Sequence, residues 1–236
     1  MIDIGNRIIT GINRPPRELV EAFRGMPSSN IGDMMNRLYC MHSDIRALSD
    51  RPLLGTAVTV KAPEGDNVFL HRAMDIAQPG DVIVVDGQGC ITRALMGEIM
   101  LTYAWKKGIE GFVIDGAVRD SDAFQTLDIS VYAKAITPQG PYKNGPGEIN
   151  VPIACGGQVV MPGDIIAGDK DGICVIPSSE AFKLADIVKE KFLNEQKKLT
   201  SYRTGKLDEE IHQKTYIAVT DKIGTFYDFR AAEFKN

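Results

Sequence analysis

Gly97-Glu98 and Arg119-Asp120 are the residues whose types and spacing best fit a reaction centre. Arg119 carries a planar fork of donors that grips a carboxylate in two-pronged fashion. Asp120 offers a hard oxygen, and Mg2+ takes one or two carboxylates with waters completing its shell. A 2-oxo acid needs both groups, a cation for its carboxylate and a metal for its keto oxygen, where a Lewis acid stabilises an enolate. Gly97 is costly inside a helix and natural where a helix begins. A helix starting there leaves the amides of residues 97–100 unpaired, and they form an anion site with a favourable dipole. The apolar strand 112–114 runs into Asp115-Gly116, and Arg119-Asp120 sits just past its C-terminal end, where ligands of α/β sheets bind. Taken alone, an Arg-Asp pair is most simply a surface salt bridge of little energetic consequence.

The other chemistry-bearing residues read more plainly. Gly87-Gln88-Gly89 follows a strand, as in a dinucleotide site, but the position for a third glycine holds Thr92. The pattern is incomplete, and its glycines serve a tight loop. This also speaks against a methyltransferase. His42, His71 and His212 are scattered without ligand spacing and read as surface or packing residues. Cys90 lies near the glycine loop with no neighbouring His, so a structural role is the simpler reading. Arg93 and Lys143 fall near the cleft in sequence, as exposed charges or readers of a second carboxylate. No Lys is placed for a Schiff base, which favours a metal route.

The elements that must position these residues follow from periodicity and punctuation. Residues 15–25 read as a short helix with a Pro start and a Gly stop, and a second helix is expected from Asn30 to Tyr39. Residues 54–62 alternate as a strand, 67–77 are helical, and 82–85 form a buried apolar strand. A helix over 99–107 stops at Gly108, and strands follow at 112–114 and 129–133. Residues 137–157 hold too many Gly and Pro for a helix and read as an ordered loop with a short strand near its end. Strands at 164–167 and 173–176 precede a long helix, capped by Ser178 or Ser179 and reaching about Thr200. Pro79-Gly80-Asp81 and Pro162-Gly163-Asp164 are matching turns, each feeding a buried strand that ends on an Asp. The interleaving predicts an α/β domain with mixed β-sheet layers rather than a regular doubly wound sheet.

Bulk properties narrow the class. The chain has 236 residues, 27 Lys plus Arg and 31 Asp plus Glu, hence a net charge of −4. With 44% hydrophobic and 25% charged residues it matches an ordinary globular protein, not a disordered or collagen-like one. A mildly acidic chain does not suit general nucleic-acid binding. No apolar run approaches a membrane span, and the N-terminal segment lacks signal-peptide features. The four cysteines form no CxxC, so a cytoplasmic protein with reduced, mostly structural thiols is expected.

Glu98, twenty intervening residues, then Arg119-Asp120 resembles the acid-X20-Arg-Asp motif of the RraA-like family. Residues 54–60, 79–86, 137–141, 162–164 and 168–172 agree in the same order, over roughly residues 15–200. That family includes class II, divalent-metal-dependent 4-hydroxy-4-methyl-2-oxoglutarate / 4-carboxy-4-hydroxy-2-oxoadipate aldolases and the ribonuclease E regulator RraA. The resemblance implies an α/β/β/α sandwich like a phosphohistidine swivelling domain, assembled as homotrimers or homohexamers with the active site between subunits. It places the RraA-like domain at residues 1–204, with 205–236 as an extension on the surface or on a neighbouring subunit. By the same resemblance, Asp120 holds Mg2+ or Mn2+ directly and Glu98 does so through water. Arg119 binds the substrate, and Gly97, Ile99 and Met100 frame the pyruvate carboxylate. Asp33 and Glu195, the latter from a neighbouring subunit, complete the implied set. Glu98 stands where Asp is commoner, a change that a water-mediated role tolerates.

The expected function is a metal-dependent lyase cleaving 4-hydroxy-2-oxo diacids to pyruvate, with oxaloacetate decarboxylation as a side activity. The alternative is a non-catalytic regulator binding a ribonuclease or another protein. Neither nucleic acid nor membrane is an expected partner.

Overall fold

Runs of Val, Ile and Thr set off by glycine and proline form the strands, because branched side chains suit a pleated, buried surface. The computed structural model describes residues 3–207 and 209–225. It divides at Phe192/Leu193 into two compact units. The first unit contains, in order, α1 (Arg17–Glu21), α2 (Ser28–Met34), β1 (Arg46–Ala47), β2 (Leu53–Lys61), α3 (Val68–Ile76), β3 (Asp81–Met96), α4 (Glu98–Lys106) and β4 (Gly111–Val118). A 3-10 turn (Ser121–Gln125) follows, then β5 (Ser130–Ile136), β6 (Glu148–Ile149), β7 (Ile153–Cys155), β8 (Gln158–Val160), β9 (Ile165–Asp169) and β10 (Gly172–Ile176). The long helix α5 (Ala181–Arg203) begins in the first unit and ends in the second. The second unit holds further helical turns at Glu209–His212, Gln213–Ile217 and Ala218–Ile223. Residues 226–236 of the expected extension lie outside the described residues. No helix among the described residues is long and apolar enough to cross a membrane.

The main sheet runs β1-β5-β4-β3-β2-β9-β10, with β6 on β2. β2 to β5 are mutually parallel, while β1, β6, β9 and β10 pair antiparallel. Parallel neighbours need crossovers. α3 and α4 supply two, and the 3-10 turn lies in the third. The sheet curls until it is nearly closed: Tyr132 Oη of β5 donates to the Asp169 carbonyl of β9 at 3.0 Å, although three strands intervene in the sheet order.

Both faces of the central strands are buried, which is why they read as continuous apolar runs. Val82, Val84 and Val113 face a core shared with Tyr132 and with Ile153 and Val160 of the β7–β8 hairpin. Ile83, Val85 and Ile114 face the opposite way, against Leu70 of α3 and Leu101 of α4. A third core seats α1, α2 and α5 through Val20, Ile31 and Val188 against Ile165 and Ile176.

Two expectations are corrected. The second helix covers Ser28–Met34, not 30–39. Asn36 and Arg37 adopt left-handed backbone, φ 55° and 64°, and end it. The strand at 82–85 is the start of the sixteen-residue β3, which continues through Gly87-Gln88-Gly89. Gln88 (φ 58°) and Gly89 (φ 70°) lie where the register with β4 shifts between Asp86 and Cys90. The glycine pair is thus a bulge inside a strand and opens no helix. The matching Pro-Gly-Asp turns have a common device: Asp81 Oδ2 accepts from Gln78 N–H at 2.7 Å, and Asp164 Oδ2 from Met161 N–H at 2.9 Å. The strands that follow, β3 and β9, flank β2 on its two sides.

Candidate active site

Parallel pairing places residues 97 and 119 side by side. β3 and β4 end together at the partners Met96 and Val118, with α4 filling the crossover between them. Arg119 N–H extends the ladder by donating to the Met96 carbonyl at 2.9 Å. The twenty-residue spacing is therefore one helix, one turn and one returning strand.

Asp120 leaves β4 in the left-handed region, φ 59° and ψ 45°. An Asp tolerates that conformation better than most side chains do. The turn carries its Oδ2 to the Glu98 N–H, at 3.0 Å. A carboxylate there satisfies one open amide and lies at the positive end of the α4 dipole. Arg119 Nε stands 3.7 Å from the same oxygen. The approach depends on Gly97, since a Cβ at that position would collide with Asp120 Oδ2 and sit 3.0 Å from Arg119 Cγ. Among the described residues, the amides of Ile99 and Met100 and the Asp120 Oδ1 atom have no hydrogen-bond partner.

These groups open onto a cleft of about 130 Å3. Gly97, Ile99, Met100, Arg119 and Asp120 line it, so five of the expected residues come together. Glu98 contributes its amide to Asp120, but its side chain is exposed and outside the lining. Asp33 also lies outside the lining and pairs with Arg37 at 2.9 Å and Lys191 at 3.2 Å. Glu195 is carried by the part of α5 that belongs to the second unit.

Three more side chains enter the site, and of these Asn67 is the one that the sequence reading does not single out. His71, expected as a surface or packing residue, lines the cleft from α3. Burial, and then the charge of Lys143, hold its pKa below the usual imidazole value. It is therefore a neutral base near pH 7. Asn67, one helical turn before it, is 2% exposed. Its Nδ2 donates to the Leu95 carbonyl at 2.9 Å, while its Oδ1 has no partner among the described residues. The capping role that its position suggests falls instead to Asp66, whose Oδ1 accepts from Val68 N–H at 3.0 Å. The i, i+4 spacing of Asn67 and His71 was the available signal, since it sets both on one helix face. Lys143 lines the cleft as well. Arg93, by contrast, is committed to the loop it supports, donating to the Gly140 carbonyl at 3.0 Å and lying 3.9 Å over the Tyr142 ring.

No cluster of three or more His, Cys, Asp or Glu suited to a metal exists among the described residues. The donor set fits a cation of the Mg2+ type, which binds through one or two carboxylates and keeps several waters. Asp120, with its Oδ1 unpartnered among the described residues, is such a carboxylate in the cleft. The arrangement offers an anion-binding helix end, a guanidinium, a carboxylate for a hard cation and a neutral imidazole around one small cleft.

The family described as RraA-like, aldolase/RraA, matches residues 28–175. A Halalkalibacterium halodurans protein named "Putative 4-hydroxy-4-methyl-2-oxoglutarate aldolase" is 40% identical over 175 residues, 74% of this chain and 83% of that protein. A Thermus thermophilus protein named 4-hydroxy-4-methyl-2-oxoglutarate aldolase is 37% identical over 112 residues, 48% of this chain and 68% of that protein. Among solved structures, Streptomyces coelicolor RraAS2, described as an unusual member of the RNase ES inhibitor RraA family, superposes with a TM-score of 0.69 at 29% identity. That superposition covers 81% of this chain and all of the Streptomyces chain.

Proposed function

The chain belongs to the RraA-like, aldolase/RraA family, and from that premise we propose that it is a divalent-metal-dependent lyase. Its substrates are 4-hydroxy-2-oxo diacids of the 4-hydroxy-4-methyl-2-oxoglutarate type, and its product is pyruvate. Oxaloacetate decarboxylation is a side activity of the same site. The observation that carries this reading is the convergence of Arg119, Asp120 and the open amides of α4 at one cleft. The names of the aldolase relatives support it.

The substrate's C1 carboxylate binds the Ile99 and Met100 amides, with Arg119 closing on it as a two-pronged donor. Asp120, and Glu98 through water, would hold Mg2+ or Mn2+, which when bound would supply a Lewis acid for the 2-oxo oxygen. His71 takes the proton of the 4-hydroxyl at its free ring nitrogen. As that proton leaves, C4 becomes a carbonyl, the C3–C4 bond breaks and its electrons pass into the 2-oxo group. C3 then takes a proton and pyruvate is formed. With oxaloacetate the same bond breaks and carbon dioxide departs, with no hydroxyl to deprotonate. Asn67 Oδ1 offers the buried acceptor that orients a substrate hydroxyl, and Lys143 meets the second carboxylate.

Pyruvate release from both substrates, coupled to lactate dehydrogenase, tests the proposal. Turnover that needs Mg2+, stops in EDTA and is lost in Asp120→Ala is the expected result. Full activity in EDTA, or in Asp120→Ala, refutes the metal role of Asp120. Absence of turnover on either substrate favours the second reading, a regulator that binds a ribonuclease or another protein, which the likeness to RraAS2 supports.

A further inference from the structure

We propose that Cys40 and Cys174 are a peroxide-responsive dithiol that closes to a disulfide. The backbone already holds them as cross-strand neighbours in an antiparallel bridge. Met41 N–H donates to the Ile173 carbonyl at 2.9 Å, and Val175 N–H to the Tyr39 carbonyl at 2.9 Å. These two bonds frame the cysteines as a non-hydrogen-bonded pair, the type whose Cα atoms lie about 4.5 Å apart and whose side chains come closest. That separation falls within the range a disulfide spans. The two Sγ atoms are 3.7 Å apart. Small side-chain rotations bring them to bonding distance.

The surroundings keep room for the pair. Gly32 of α2 faces it, and a Cβ there would lie 2.7 Å from Cys40 Sγ and 3.6 Å from Cys174 Sγ. A glycine inside a helix is otherwise unfavourable. The two thiols also differ in access. Cys40 is exposed, while Cys174 is 1% exposed, with its Sγ 3.2 Å from the Ser28 carbonyl. Cys155 is also buried, with its Sγ against the Val85 carbonyl at 3.8 Å.

The chemistry follows that asymmetry. The Cys40 thiolate attacks a peroxide oxygen, the O–O bond breaks, and Cys40 becomes a sulfenic acid while the other oxygen leaves as water or an alcohol. The Cys174 sulfur then attacks Cys40 Sγ. The sulfenic oxygen leaves as water, taking up the Cys174 proton, and the S–S bond forms. Two sulfurs each lose one electron, and the peroxide gains both. The product ties the segment after α2 to β10 at the sheet edge and closes a loop through most of the first unit, which constrains the unfolded chain.

Hydrogen peroxide applied to the full chain, then removed with catalase, tests this by intact mass and non-reducing peptide mapping. The expected product has lost two hydrogens and contains a linked Cys40–Cys174 peptide. It unfolds at higher urea than the reduced protein, and dithiothreitol reverses each change. Cys40→Ser abolishes the link, and because Cys40 is exposed that variant keeps the fold. Cys174→Ala leaves a Cys40 sulfenic acid that dimedone traps. Peroxide treatment that yields a sulfinic acid on Cys40, a Cys40–Cys40 dimer between chains, or no change in mass overturns the proposal. None of these readouts depends on lyase activity.

Discussion

Gly97→Ala isolates the contact on which the site's geometry turns. The backbone at Gly97 is extended, φ −145° and ψ −172°, so alanine fits the conformation without strain. Its Cβ does not fit the space, because it overlaps Asp120 Oδ2 and lies 3.0 Å and 3.1 Å from Arg119 Cγ and Nε. Restoring an ordinary carbon–oxygen separation displaces the carboxylate by about 1 Å. The 3.0 Å bond from Glu98 N–H to Asp120 is then lost. That bond is charge-assisted but nearly half exposed, so its loss together with the poorer cap costs about 1 kcal/mol of stability. A displacement of this size in a catalytic group costs about 100-fold in rate, or about 2.7 kcal/mol of transition-state stabilisation. Urea unfolding and kcat/KM for pyruvate release separate the two effects. The expected outcome is a folded protein, about 1 kcal/mol less stable, with kcat/KM down about 100-fold. Wild-type kcat/KM in a protein that carries the alanine would refute the role given to Asp120 and its seat on α4.

Arg119→Lys keeps the charge but removes the two-pronged geometry, and is expected to raise KM for 2-oxo acids by about 10-fold or more, with initial-rate kinetics as the check. In the proposed reaction His71 is the base, and burial followed by the Lys143 charge holds its pKa below the usual 6.5. The aldol kcat/KM is therefore expected to fall as pH drops through that lowered pKa, and His71→Gln is expected to remove that limb of the profile. The unfolded chain binds this proton more readily, so urea titrations in the acid range should show stability declining below about pH 6.5. Leu101→Ala empties a fully buried position between α4 and the sheet. It is expected to cost about 2–5 kcal/mol by denaturant unfolding and to lower kcat/KM by shifting α4.

The part of the site that lies along one stretch of chain was legible in the sequence. Gly97, Arg119 and Asp120 are joined by a single crossover, and its helix and strand carry clear periodicities. His71 and Asn67 reach the cleft from α3, an earlier crossover, and nothing local to them marks that destination. Their shared helix face was visible, but which way it pointed depends on how the sheet curls. Strand β3 was read too short because glycines at 87 and 89 look like a loop, whereas a bulge accommodates the positive φ of Gln88 and Gly89 within the ladder. The end of α2 was missed for a related reason. Asn36 and Arg37 adopt left-handed backbone, and Arg37 carries no glycine-like signal. The Cys40–Cys174 contact joins residues far apart in sequence, and only strand pairing reveals it.

A crystal structure with Mn2+ and oxalate, a planar analogue of the pyruvate enolate, tests the central claim most directly. The expected map has an anomalous peak at Asp120 and one oxalate carboxylate on the Ile99 and Met100 amides, with Arg119 across it. A metal peak distant from Asp120, or oxalate bound away from the start of α4, contradicts the assignment of this cleft as the site of a metal-dependent lyase.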